Sequence, residues 1–365
     1  MPLFTQTEHI PGAVNAAACE RLRRRLWHGG PVRGLVLAIG VALAFDLTNG
    51  FHDSANAVAA LVATRAARPA SAVVLVSIFH VLGPLLAGTA VAGTVGGIVE
   101  LNGHSAVAAV GAALTGALAW NLLTWWRGLP SSSSHALVGG LTGASVVEAG
   151  GHAVRWGGFD GIRPTGVVGV LVALGISPLL GFGVGLLGAR AARRAMRRAP
   201  RRALQGVLRG EWVTASALAF SHGANDAQKT MGVITLLLVA DGRLDAFTVP
   251  LWVKLAAAAS LTVGTSLGGW RIVRTVGSGI YRMRPLDGLV SQGGSAAVIL
   301  GAAAIGAPVS TTHVVASSVV GVGAGQRWRH VRWAVVREMG LGWLVTLPAC
   351  AALGAMAVPL WRWLV

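Results

Sequence analysis

Ten predominantly apolar segments separated by short, arginine-bearing breaks dominate this chain: 32–63, 71–92, 105–126, 131–147, 165–188, 212–240, 246–268, 286–305, 309–325 and 341–360. Most are long enough for a helix to cross a bilayer, which takes about 20 residues. Composition agrees: 54% of the residues are apolar and 12% charged, against about 25% charged in an ordinary soluble domain. The 51 glycines and 14 prolines are scattered through the apolar stretches, as they are in transmembrane helices. Cys19 and Cys350 lie at opposite ends of the chain, so no disulfide framework or cysteine metal site is available. The formal charge of +17 does not mark a nucleic-acid surface, because the basic residues sit between apolar segments. They fit topology signals and contacts with anionic lipid instead.

Residues 1–31 hold no uninterrupted apolar core, and their arginines come late, so they read as an arm and not a signal peptide. The first apolar segment has 32 residues, roughly 48 Å as one helix, against a hydrocarbon core of about 30 Å. A break is expected at Thr48-Asn49-Gly50-Phe51-His52-Asp53. With the N-terminus outside, the loops assigned to the cytoplasm hold 19 arginines, eight of them between Arg190 and Arg209. That count sets the expected orientation.

Two polar signatures occur twice, in the same order. Pro130-Ser131-Ser132-Ser133-Ser134-His135 matches Pro308-Val309-Ser310-Thr311-Thr312-His313 at an offset of 178 residues. Asn49 to Asn56 matches His222 to Lys229 at an offset of 173, which places Asp53 over Asp226. The chain therefore divides into an N-terminal arm (1–31), a first repeat (32–189), an Arg-rich cytoplasmic linker (190–210) and a second repeat (211–365). Each repeat carries an odd number of crossings, so the second is inverted relative to the first. The expected fold is an all-α integral membrane protein of two inverted repeats, each with a broken first helix and a re-entrant helical hairpin. Architectures of this kind belong to transporters, with sites near the bilayer midplane.

Asp46, Asp53 and Asp226 are the carboxylates that lie well inside apolar segments, where a charge costs at least about 2.5–3.5 kcal/mol. Asp53 and Asp226 are duplicated, and a carboxylate beside a helix break suits a small cation or a proton. Nothing mirrors Asp46, which falls opposite Ala219 and reads as a buried or helix-surface polar residue. The Pro-Ser-Ser-Ser-Ser-His and Pro-Val-Ser-Thr-Thr-His segments read as helix starts, with free N–H groups and neutral hydroxyl donors that suit an oxyanion. The anion reading requires both starts to reach mid-membrane, and so favours hairpins at 105–147 and 286–325 over full spans. The Trp125-Trp126-Arg127 triplet looks interfacial and speaks for full spans. Lys229, three residues beyond Asp226, pairs with that carboxylate or contacts the substrate. His135 and His313 read as hydrogen-bonding helix residues, and His52 and His222 as second-rank groups for proton handling.

These motifs together resemble the inorganic phosphate transporter (PiT) family across about residues 32–360. The resemblance rests on Asn49 to Ala59, Gly223 to Gly232 and the two Pro-x-Ser-[Ser/Thr]-[Ser/Thr]-His segments. It implies a multi-pass carrier of the plasma (inner) membrane, coupled to sodium or protons, that imports inorganic phosphate. A homodimer without prosthetic cofactor is expected, with a short basic linker open to a cytosolic regulator. In that family the matching aspartates, here Asp53 and Asp226 with Asn49 beside them, serve the coupling cation, sodium if sodium is the ion. The phosphate ligands would be Ser132, Ser133, Ser134, Ser310, Thr311, Thr312, Asn56, Asn225 and Gln228, with Lys229 nearby. A sulfate carrier of the same fold is the alternative. An intramembrane serine hydrolase fits poorly, because every candidate recurs in the other half and no Gly-x-Ser-x-Gly surrounds a serine. An anion channel would need no cation gradient.

Overall fold

The computed structural model describes residues 30–160, 163–200 and 202–365; most of the expected N-terminal arm lies outside the described residues. Twelve α-helices of at least five residues make up the described fold. The first half holds α1 (Gly30–Ala63), α2 (Pro69–Leu86), α3 (Ala90–Gly96), α4 (Gly103–Arg127), α5 (Ser133–Ala149) and α6 (Gly166–Ala195). The second holds α7 (Ala203–Ala240), α8 (Leu251–Leu267), α9 (Trp270–Arg274) with a π turn Thr275–Gly279, α10 (Pro285–Ala304), α11 (Thr311–Gln326) and α12 (Trp333–Leu364). The order of elements repeats, six for six. A two-residue strand pair, Phe159–Asp160 with Arg163–Pro164, interrupts the loop before α6.

The surface of these helices is apolar and their interior is polar. Leu179, Leu344, Trp363 and Ile305 are 71–81% exposed, whereas Asp53, Asp226 and Lys229 are at most 1% exposed. Water reverses that arrangement in a soluble protein; lipid permits it. Five described helices, α1, α2, α4, α6 with its 3₁₀ extension, and α12, are long and apolar enough to cross a membrane, and α8 with α9 forms a bent sixth candidate.

The halves interlock by exchange. α1 packs on α8 of the second half while α7 packs on α2 of the first, and α5 packs on α12 while α11 packs on α6. Small residues make the exchange possible: a Cβ on Gly139 or Gly143 of α5 would lie 2.4 Å and 2.1 Å from the Leu347 and Ala351 carbonyl oxygens of α12. Two apolar clusters flank a polar middle. One takes α1 up to Phe45 and α7 from Ala227 onward; the other takes α1 from Ala55 onward and α7 up to Ala219. The two long helices thus traverse the molecule in opposite senses, and their duplicated polar stretches meet between the clusters.

The break expected within the first helix is absent, and α1 and α7 each run as continuous helix, 34 and 38 residues long. The polar side chains there do not disturb the backbone. Thr48 donates to the Phe45 carbonyl at 2.7 Å and Ser221 to that of Leu218 at 3.0 Å, so both hydroxyls are satisfied inside their own helix. The glycines serve close packing: a Cβ on Gly50 would lie 2.3 Å from the Leu261 carbonyl oxygen, and one on Gly223 3.0 Å from the His80 Cα. A continuous α1 is about 51 Å long at 1.5 Å per residue and extends beyond the apolar layer.

Two helical hairpins, α4–α5 and α10–α11, are built on one turn. Gly128 and Gly306, again 178 residues apart, take the left-handed conformation at φ 67° and 74° that glycine adopts without a steric cost. The N–H of Leu129 reaches back to Thr124, and that of Ala307 to Ala302, each at 2.9 Å, which ends the incoming helix. Proline then starts the descent, and Ser132 and Ser310 cap the outgoing helices by accepting from the His135 and His313 N–H at 3.2 Å and 3.3 Å. At 17 and 16 residues, α5 and α11 span about 25 Å, short of a full hydrocarbon core. The Arg-rich stretch 190–210 is largely helical: α6 runs to Ala195, a 3₁₀ turn covers Met196–Arg198, and α7 starts at Ala203.

Candidate functional site

The two hairpin tips and the two duplicated aspartates converge at the centre. One ligand atom from each of Asp53, His222 and Asp226 lies within 4.8 Å of the others. Ser131 to Ser134, Ser310, Thr311 and Thr312 are all buried around them. The tips touch: the Ser134 hydroxyl donates to the Val309 carbonyl at 3.2 Å.

Each aspartate is gripped by hydroxyls from the tips. Ser133 donates to Asp53 Oδ2 at 3.0 Å, and its counterpart Thr311 donates to Asp226 Oδ2 at 3.1 Å. Thr312 crosses from the second hairpin to the first aspartate, reaching Asp53 Oδ1 at 2.9 Å, and accepts from Asn56 Nδ2 at 3.1 Å. Asn225 donates to Asp226 Oδ1 at 2.9 Å and to the Val309 carbonyl at 3.1 Å. Lys229 forms a buried ion pair with Asp226, one of the two roles open to it from sequence. His222 Nε2 lies 3.0 Å from Asp226 Oδ2, and His52 Nδ1 2.9 Å from Asp53 Oδ1. Two carboxylates this close repel each other, and Lys229 with the hydroxyl and amide donors offsets that repulsion.

Other expected ligands stand apart from this group. Ser132 and Ser310 cap their own helices, and Ser132 also contacts His135 Nδ1 at 2.8 Å. Gln228 points away from the carboxylates. Its Oε1 accepts from the N–H groups of Val91 and Ala92 at 2.9 Å and 3.4 Å, because the first turn of α3 offers two unpaired donors there. Asn49 bonds to neither aspartate: both of its amide atoms are buried without a partner. His135 and His313 lie side by side, ring centroids 4.8 Å apart, with Trp343 against His313 at 4.0 Å.

Sequence reasoning missed the second layer. His80 of α2 stacks on His222, with Nε2 3.0 Å from His222 Nδ1, and its own Nδ1 lies 2.7 Å from the Thr265 hydroxyl. On the opposite side, Thr124 Oγ1 lies 3.2 Å from His52 Nε2 and 2.9 Å from Ser131 Oγ. Each aspartate is thus backed by a histidine that a further polar group orients. The available signal for His80 was a lone histidine in an otherwise apolar segment; Thr124 offered none.

Comparison with known proteins bears directly on this arrangement. The pattern of the phosphate transporter family matches residues 49–210 and 199–354, which take in all four signatures. The chain belongs to the phosphate transporter family. A probable low-affinity inorganic phosphate transporter of Bacillus subtilis (strain 168) is 40% identical over 328 residues, covering 88% of this chain and 95% of that one. One of Rhizobium meliloti (strain 1021) is 40% identical over 325 residues, covering 88% and 95%. Low-affinity inorganic phosphate transporter PitB of Escherichia coli (strain K12) is 33% identical over 66% of this chain and 50% of its own. A solved structure described as the sodium-dependent phosphate transporter has the same fold, with a TM-score of 0.80 over 91% of this chain and 100% of that one at 21% identity. The protein is an integral membrane phosphate transporter, and the relatives it matches are transporters, not hydrolases.

Proposed function

We propose that this phosphate transporter is a cation-coupled importer of the plasma membrane, with Asp53 and Asp226 holding the coupling cation and the hairpin hydroxyls holding phosphate. One observation carries the reading. Ser133, Thr311 and Thr312, the hydroxyls best placed to donate to an anion, all donate to the two aspartates. A cation between Asp53 and Asp226 would take over those carboxylate oxygens. The hydroxyls would then be free to turn toward phosphate, beside the N-termini of α5 and α11. Without the cation, bound phosphate would face two carboxylates and compete with them for donors. Coupling then follows from shared hydrogen bonds.

The same reading treats α1–α6 and α7–α12 as inverted repeats, since α1 and α7 run in opposite senses through the two apolar clusters. Hairpins α4–α5 and α10–α11 are then re-entrant from opposite faces. That arrangement brings both helix starts to one anion from two sides, and either repeat can rock against the other to open the site. Phosphate keeps at least one proton near neutral pH and needs an acceptor, whereas sulfate only accepts, so nearby carboxylates favour phosphate.

The experiment is uptake of labelled phosphate into proteoliposomes under an imposed sodium gradient, an imposed proton gradient, or neither. Accumulation under one gradient is expected. An equal rate without any cation gradient would support a channel instead.

A further inference from the structure

We propose that Asp46, a carboxylate outside the Asp53–Asp226 site, is a proton-carrying group whose charge is read by Lys229, so that the transporter moves a proton together with phosphate. The inference rests on the phosphate-import reading above.

Asp46 is completely buried, and neither of its carboxylate oxygens has a hydrogen-bond partner. Its nearest polar neighbour is Thr230 of α7. Thr230 approaches without hydrogen-bond geometry, and its hydroxyl is unpartnered too. Asn49, one turn along α1 on the same face, also leaves both amide atoms unused. Three buried polar groups on facing helices therefore turn toward one another without bonding, a cost of about 1–3 kcal/mol for each neutral group. An ionised carboxylate there would cost far more.

Either a proton or a metal ion would relieve this, and the charges around Asp46 decide between them. From α7, Asp226 and Lys229 act on it electrostatically. From α4 the nearby polar group is Asn121, which donates to Thr48 at 3.3 Å. From α2 it is His80, held by Thr265 and His222. From α8 the one charged residue is Lys254, near the opposite end of that helix from Gly264, which meets α1 at Gly50. One carboxylate, one hydroxyl and one amide make a poor shell for a metal ion, and the Lys229 ammonium repels a second cation. A proton needs no shell, and the neutral acid can donate to Thr230 or Asn49.

The repeat supplies the connection to transport. Asp46 falls opposite Ala219, and Lys229 falls opposite Asn56. The two halves thus differ in their site helices by one carboxylate and one ammonium, and these two lie within electrostatic reach of each other. When Asp46 holds a proton, Lys229 has one carboxylate to pair with, Asp226. When Asp46 gives its proton to water, the new carboxylate draws Lys229 away and leaves Asp226 available to a cation. The proton enters from water on the side where the site is open and leaves to water on the other. No other bond is made or broken.

The test uses the full chain in proteoliposomes, with two assays of labelled phosphate: exchange against internal unlabelled phosphate, and accumulation driven by a pH difference. Asp46→Asn is expected to keep exchange, since its amide mimics the protonated acid, and to lose pH-driven accumulation. Asp46→Glu, which restores a titratable group, is expected to accumulate phosphate with a displaced pH profile. Accumulation by Asp46→Asn at the wild-type level would overturn the proposal. So would a wild-type protein that exchanges phosphate but ignores the pH difference. If Asp46→Asn does not insert, an Asp46→Glu profile identical to wild type would overturn it just as well. Absence of phosphate exchange in the wild type would instead refute the import reading, and the proposal with it.

Discussion

Replacing each duplicated aspartate by asparagine should separate two effects that the repeat makes look alike. Asp53 and Asp226 occupy equivalent positions, and both substitutions remove charge at nearly constant volume, so both are expected to abolish coupled uptake. Stability should diverge. Asp226 neutralises Lys229, which is about 1% exposed and has no other charged hydrogen-bond partner among the described residues. Removing one member of a buried pair costs about 3–5 kcal/mol, because the remaining charge is left in the interior. Asp53 neutralises no cation of that kind; it accepts from Ser133 and Thr312 and contacts His52. An asparagine oxygen keeps part of this, so the loss is the difference between charged and neutral acceptors, about 1–2 kcal/mol in all. Thermal unfolding of the purified protein, followed by the fluorescence of its 13 tryptophans, should place Asp226→Asn clearly below Asp53→Asn. The double variant Asp226→Asn/Lys229→Met should recover much of the loss while uptake stays absent. Equal midpoints for the two single variants, or a double variant no more stable than Asp226→Asn, would refute the assignment of Lys229 as a buried charge held by Asp226 alone.

Ser133→Ala or Thr311→Ala should weaken phosphate binding by about 1–3 kcal/mol, the cost of an unsatisfied buried partner, as read by isothermal titration with the cation saturating. Lower expression with unchanged affinity would mean that these hydroxyls serve packing. A cysteine introduced within 192–206 should react with a membrane-impermeant thiol reagent from the cytoplasmic side only, and one at position 242 from outside only; the reverse pattern would invert the topology. Excess sulfate should inhibit labelled phosphate uptake less than unlabelled phosphate does, and equal or stronger inhibition by sulfate would promote the sulfate reading.

What the sequence disclosed clearly was whatever had been duplicated. The offset of 178 that aligns the hairpin tips also aligns Gly128 with Gly306, and the turn it describes is the same in both halves, down to the 2.9 Å bond that ends each incoming helix. The offset of 173 that aligns Asp53 with Asp226 led directly to the centre of the molecule. Residue type combined with repetition was sufficient there, because both copies must satisfy the same local demands.

Less legible was anything that depends on which helix lies opposite. The motif Thr48 to Asp53 has the composition of a helix break, yet α1 runs through it. The two offsets differ by five residues, so the halves are alike in their parts and not in every spacing, and a glycine that looks like a breaker can instead be the point where α8 approaches. Gln228 sits in a signature that reads as ligand, but its direction is decided by the open end of α3, more than 130 residues earlier in the chain. Asp46 shows the opposite case. Its lack of a counterpart made it look incidental, although a two-fold arrangement cannot by itself give Lys229 a second carboxylate to answer to. The departures from the repeat, one extra carboxylate on α1 and one ammonium on α7, are where the two halves stop being interchangeable. An arrangement that must bind a charge on one side of a membrane and release it on the other needs some such difference in charge, because two identical halves would hold it equally well from either side.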